Sequence, residues 1–113
     1  MTAFTNPQED WTPAEVAEKL ARGEIELIDV REGYEREAGR IEGSRHIELE
    51  RLASQAESIP RDRPVVFQCR LGARSAMATR AFRTAGWDAH NMTGGAVAWV
   101  RAELPFEGTV ADH

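Results

Sequence analysis

The stretch from Val65 to Gly86 constrains this chain more than any other. An apolar run (Val65, Val66, Phe67) leads into the only cysteine, Cys69. A short loop with Gly72 and two arginines, Arg70 and Arg74, comes next. Ser75 then opens a segment whose apolar positions Ala78, Ala81, Phe82 and Ala85 recur at helical spacing until Gly86 stops it. The order is strand, thiol, tight loop, helix. A thiol at that junction is a reactive-thiol site if it is a site at all.

The flanking chain repeats the alternation. The first ten residues are polar and expected to be loosely held, with one short edge strand at most. Thr12-Pro13-Ala14-Glu15 reads as a capping box, starting a helix with Val16, Ala17 and Leu20 inward and Gly23 at its end. Glu24–Val30 reads as a buried parallel strand. Gly33–Ala38 reads as a short polar helix closed by Gly39, and Ile41–Ile47 as a turn leading into a brief strand. Leu49, Leu52, Ala53, Ala56 and Ile59 predict an amphipathic helix ended by Pro60, and Pro60–Pro64 a surface connection. Trp87–Met92 predicts the last strand and Gly94-Gly95 a turn. Ala96, Val97, Trp99, Val100 and Leu104 predict a terminal helix, with 107–113 fraying beyond it. The expected fold is α/β: a single domain over 1–113, with a mostly parallel central sheet of about five short strands and helices on both faces. Ligands of such sheets bind beyond the carboxyl ends of the strands. Cys69 lies at that edge, and so do Asp29 and Arg31.

Composition removes several functional classes. At 113 residues there is material for one core, and a net charge of -5 argues against non-specific binding to nucleic acid or an anionic membrane. No apolar run approaches the ~20 residues of a membrane span. One cysteine excludes an intrachain disulfide and a multi-thiolate zinc site, and neither a metal nor a cofactor is expected. The N-terminal segment has no basic n-region and no apolar h-region, so the expected compartment is the cytoplasm, where a lone thiol persists. Lys19 is the only lysine. A general preference for arginine explains that bias more simply than a site does.

A thiol acts as a nucleophile through its thiolate. Three features around Cys69 favour the anion: the amino end of the following helix, a glycine loop able to turn backbone N–H groups inward, and Arg70 and Arg74 if they face the pocket. Gly72 suits the positive φ such a loop requires. Arg80 and Arg83, further along the helix, read as solvated surface. His46, His90 and His113 are scattered, and none is an obvious partner for the thiol. His46 is the one of the three most expected to approach the rim, but it reads more simply as a partly exposed strand-end residue. Chemistry at cysteine alone is therefore the simpler expectation.

Together these residues resemble the rhodanese family of sulfurtransferases over about 11–104. Leu27–Ile47 is similar to the family's D-x-R…E…G-H-I-x-G-A segment, and Cys69–Ser75 (C-R-L-G-A-R-S) to its C-x-x-G-x-R-S active loop. Met92–Trp99 is similar to its G-G-x-x-x-W helix start. Arg40 stands where the family often has histidine, and the usual proline after Ile47 is missing, both at positions that are structural in the family. The resemblance implies that Cys69 carries a persulfide. It also implies that main-chain amides of Arg70, Leu71, Gly72, Ala73, Arg74 and Ser75 cradle it, and that Asp29 and Arg31 brace the rim. The implied partners are a small donor such as thiosulfate and a thiophilic acceptor, either cyanide or a small or protein thiol. Cysteine phosphatases of related fold resemble C-x5-R, whereas four residues separate Cys69 from Arg74 here. The alternative role is a sulfur carrier or docking module for one protein partner, with little thiosulfate turnover.

Overall fold

In the computed structural model, which describes residues 9–111, the chain runs as alternating strands and helices. The order is β1 (Asp10–Trp11), α1 (Pro13–Ala21), β2 (Glu26–Asp29), α2 (Gly33–Ala38), β3 (Gly39–Arg40), β4 (Arg45–His46), β5 (Val65–Gln68), α3 (Ala73–Thr84), β6 (Ala89–Met92), α4 (Gly95–Arg101) and β7 (Glu107–Gly108). Five strands form a parallel sheet in the order β1-β6-β5-β2-β4. β3 and β7 make a separate antiparallel pair.

β5 lies at the centre, and its side chains alternate between two cores. Val65, Phe67 and Cys69 pack with Ala78 and Phe82 of α3. Val66 packs the opposite way, with Val16 of α1 and Trp99 of α4. Burial on both faces is why the strand reads as a continuous apolar run. Phe67 lies opposite Ile28 of β2 and Asn91 of β6, so these three strands end level with one another. The single α/β domain, its parallel sheet and the helices on both faces agree with the sequence expectation. The capping box of α1 is present, with the Glu15 amide donating to Thr12 Oγ1 and the Thr12 amide to Glu15 Oε1. Among the described residues, no helix is long and apolar enough to cross a membrane.

Several local expectations fail for identifiable reasons. The helix expected from Leu49 is two 3-10 turns, Leu49–Arg51 and Ala56–Ser58. Its inward residues are paired three apart, which suits the tighter period, and Leu52 and Ile59 are buried while Ala53 is exposed. Ser54 and Ser58 donate to the carbonyls of Arg51 and Gln55, offering the backbone a local alternative to an α-helix. α3 starts at Ala73, two residues before Ser75, and it buries Ser75, Ala78, Thr79 and Phe82. Ala81 and Ala85 are exposed. The spacing is the expected one shifted by a turn, because the Thr79 hydroxyl is satisfied by the Ser75 carbonyl at 2.8 Å and can be buried. β2 and β6 are shorter than expected. α4 ends at Arg101, leaving Val100 exposed and Leu104 past its end.

The tail does not fray where it is described. Glu107 and Gly108 pair with Arg40 and Gly39, and the Thr109 amide donates to the Ala38 carbonyl at 2.9 Å. Backbone bonds rather than apolar side chains hold it. Most of the N-terminal segment expected to be loose, and the last two residues of the tail, lie outside the described residues; the edge strand begins at Asp10.

Candidate active site

Cys69 follows β5 directly and is 1% exposed. Its Sγ accepts from the Gly72 amide at 3.0 Å and from the Ser75 amide at 3.4 Å, with Ser75 Oγ 3.3 Å away. The first residues of a helix leave N–H groups without intrahelical partners, and an N-cap side chain usually receives the one at the third position. The N-cap of α3 is Gly72, which has no side chain to offer, and Ser75 is that third residue. The cysteine sulfur occupies the place of the missing cap. It therefore sits at the positive end of a helix of twelve residues whose first turn carries no acidic side chain.

Two glycine positions give the loop its shape. Gly72 has φ of 107°, in the left-handed region. Gly95 lies so close to the loop that a Cβ there would collide with the carbonyls of Cys69 and Arg70. Those same carbonyls accept from the Ala96 amide at 2.8 Å and the Val97 amide at 3.1 Å. The first turn of α4 thus draws loop carbonyls to one side, and the amides of Gly72 and Ser75 are left facing the sulfur.

Of the two arginines, neither is bonded to the thiol in the contacts described. Arg74 donates to Glu35 of α2 through both terminal nitrogens, at 2.7 and 3.0 Å. Burial alone would raise the Glu35 pKa, but the Arg74 hydrogen bonds and the Glu32 amide outweigh it and hold the carboxyl below its ordinary value. The Arg74 pKa is raised, by the bond to Glu35 above all, with a smaller contribution from the charge of Cys69. Arg74 therefore clasps α3 to α2 while lending its field to the sulfur. Arg70 reaches the tail instead, donating from Nε to the Ala111 carbonyl at 3.0 Å. Leu71 stands 59% exposed at the loop tip, and Ala73 is exposed beside it.

Asp29 and Arg31 are fully buried and closed on each other. Arg31 Nε and Nη2 donate to the two Asp29 oxygens at 2.8 Å each, and Nη2 also donates to the Gly39 carbonyl at 2.7 Å. Arg36 adds a bond to Asp29 Oδ2 at 3.3 Å. This pair ties the end of β2 to β3; the contacts described do not join it to the sulfur. His46 Nε2 bonds the Arg31 carbonyl at 2.7 Å, and His90 is bonded to Asp88 and stacked on Trp11, so the two described histidines are engaged elsewhere. His113 lies outside the described residues.

Two residues of the site escape the sequence reading. Glu35 is the partner that fixes Arg74, and its only local signal is that Glu32 and Glu35 are spaced as a capping box. Asn91 is a polar residue in a wholly buried strand, and its Oδ1 accepts from Ser75 Oγ at 2.6 Å. Among the described residues, one cluster has ligand-type spacing for a metal: the carboxylates of Glu32, Glu48 and Glu50, within 4.8 Å of one another. It includes no thiol or imidazole.

Comparison with known proteins agrees with this geometry. The family described as Rhodanese-like domain matches residues 12–102. The chain is 35% identical over 112 residues to an HTH-type transcriptional regulator of Mycobacterium tuberculosis, covering 96% of this chain and 49% of that protein. It is 34% identical over 93 residues to a sulfurtransferase of Allochromatium vinosum, covering 80% of this chain and 87% of that one. The structure of a rhodanese-related protein from Thermoplasma volcanium superposes with a TM-score of 0.81 at 26% identity, covering 87% of this chain and 96% of that one. Several curated relatives are longer, and the chain spans half of their length or less.

Proposed function

Since the chain belongs to the rhodanese-like domain family, we propose that it is a sulfurtransferase in which Cys69 takes up and passes on a single sulfur atom. In the first step the Cys69 thiolate attacks the outer sulfur of a donor such as thiosulfate. The donor's S–S bond breaks, its electron pair leaves with sulfite, and the enzyme holds Cys69-S-S⁻. In the second step a thiophilic acceptor attacks that outer sulfur, and the electron pair returns to Sγ as thiolate. Cyanide leaves as thiocyanate, a thiol as a persulfide. The scheme is ping-pong and calls for no cofactor or metal.

The observation that carries this reading is the pair of amides, from Gly72 and Ser75, directed at Sγ in so short a loop. The main chain of Arg70, Leu71, Gly72, Ala73, Arg74 and Ser75 forms the cradle, and Asp29 and Arg31 keep the rim rigid without reacting. Four residues between Cys69 and Arg74 make a ring suited to one extra sulfur rather than to a tetrahedral phosphate. With both terminal nitrogens on Glu35, Arg74 is committed away from an oxyanion. A thiol that must cycle through a persulfide suits a reducing compartment such as the cytoplasm.

Intact mass after incubation with thiosulfate tests the reading. One added sulfur is expected on the native protein and none on Cys69→Ser. No adduct on the native protein, or the same adduct on Cys69→Ser, overturns it. A second reading, a sulfur carrier or docking module for a protein partner, is favoured by Leu71, an apolar side chain held in water beside the thiol. Thiocyanate formed at an appreciable rate supports the enzyme. Sulfur passed only to a protein thiol supports the carrier.

A further inference from the structure

The hydroxyl of Ser75 has one proton and two neighbours that could take it. Oγ is 2.6 Å from Asn91 Oδ1 and 3.3 Å from Cys69 Sγ. A separation of 2.6 Å belongs to an O–H···O bond and is shorter than the usual N–H···O range of about 2.7–3.2 Å. The proton therefore lies on the line to Asn91. Ser75 is fully buried in α3 and Asn91 is buried in β6. The Asn91 backbone is pinned by its place opposite Phe67 and by a 2.7 Å bond from its amide to the Glu9 carbonyl.

With its proton committed, Ser75 meets the sulfur through a lone pair. It can accept from an S–H, but it has nothing to donate to a thiolate. We propose that Asn91 is a positioning residue for Cys69: by engaging the Ser75 proton it keeps that hydroxyl from stabilising the thiolate, which is left to the two backbone amides.

The consequence for sulfur transfer rests on the function proposed above. A more basic thiolate is the stronger nucleophile toward a donor and the poorer leaving group when the acceptor arrives. During delivery the bond between Sγ and the outer sulfur breaks and its electron pair returns to Sγ, while the Ser75 proton stays on the Asn91 side. Asn91 thereby slows release, and the bound sulfur persists.

Rates of iodoacetamide alkylation across pH test the assignment without any sulfur donor. The charged groups on the loop and the elements packed beside it are Arg70, Arg74 with Glu35 on α2, and the Asp29–Arg31 pair at the end of β2, while His90 of β6 lies opposite Val66 on the other face of the sheet. They are the same in every variant, so differences in midpoint report the Ser75 proton. In Asn91→Leu the freed hydroxyl turns to the sulfur, and the midpoint falls by about one pH unit. In Ser75→Ala, a milder change, the midpoint holds or falls because an acceptor of S–H is lost. Adding Asn91→Leu to Ser75→Ala then shifts nothing further. A midpoint that rises in Ser75→Ala, or that holds or rises in Asn91→Leu, overturns the proposal; so does a full shift from Asn91→Leu in the Ser75→Ala background. Failure to load sulfur from thiosulfate would instead count against the function proposed above and leave these midpoints as they are.

Discussion

Two adjacent strands end in the same kind of sequence and do opposite things with it. β2 runs into Asp29-Val30-Arg31, and β5 into Gln68-Cys69-Arg70. At the end of β2 the charges close on each other, fully buried, with a third donor bond to the Gly39 carbonyl. At the end of β5 the nearby charges are drawn outward, Arg74 to Glu35 and Arg70 to the tail, and neutral amides face the sulfur. A salt bridge is an arrangement already satisfied. Amides fixed by their own backbone, with carbonyls held by α4, retain the capacity to stabilise charge that appears later.

The contrast can be broken in order of effect. Gly95→Ala drives a Cβ into the Cys69 and Arg70 carbonyls, so the loop must move. Persulfide loading should fall on the order of 100-fold, the usual result of an ångström's misplacement, as read by the rate of the mass shift from thiosulfate. Asp29→Leu leaves the Arg31 guanidinium buried without its counter-charge, at a cost of roughly 3–5 kcal/mol in denaturant unfolding. The folded fraction should still load sulfur at an unchanged rate if, as proposed, the pair braces the rim and takes no part in the reaction. If loading is lost in proportion beyond unfolding, the division of labour between the two strand ends is wrong.

Glu35→Gln loosens the clasp between α2 and α3 and should cost about 2 kcal/mol, the scale of hydrogen bonds to a charged group. The same pair gives a pH signature. The Glu35 pKa is lower in the fold than in the unfolded chain, so its contribution is fully present above the ordinary carboxylate value and is lost as pH falls through the depressed one. The native protein should therefore lose more stability than Glu35→Gln on acidification across that window, as followed by urea unfolding. The smallest effect belongs to Leu71→Ser. Stability should change by no more than about 0.5 kcal/mol, as for most surface substitutions, and thiocyanate formation should not change. A drop confined to transfer onto a protein thiol would favour the carrier reading.

The sequence made the strand order of chemistry plain and hid its wiring. β5, the loop and α3 were legible because an apolar run, a glycine and a 3.6-residue spacing are local signals. The parallel α/β class followed from their repetition. Glu35 and Asn91 were not legible, because each acts on a residue far along the chain, Arg74 and Ser75, and a buried polar residue has no periodicity of its own. The pairing of the tail is hidden for a related reason. Its partners are the backbone of Ala38, Gly39 and Arg40, and main-chain pairing leaves little trace in side-chain composition. The segment after Leu49 is ambiguous in sequence because spacing by three fits a 3-10 turn as well as a helix.

Because the sulfur stands where a capping side chain would, the first turn of α3 is closed by the atom that changes during the proposed reaction. Chemical state and helix end are then one equilibrium. Adding a sulfur, alkylating Cys69 or oxidising it replaces the acceptor that the Ser75 amide needs, and the turn must close again around the new group or open. Hydrogen exchange at that one amide would serve as a gauge of how much sulfur the protein carries. It would register occupancy from the protein's own backbone, with no reagent touching the thiol.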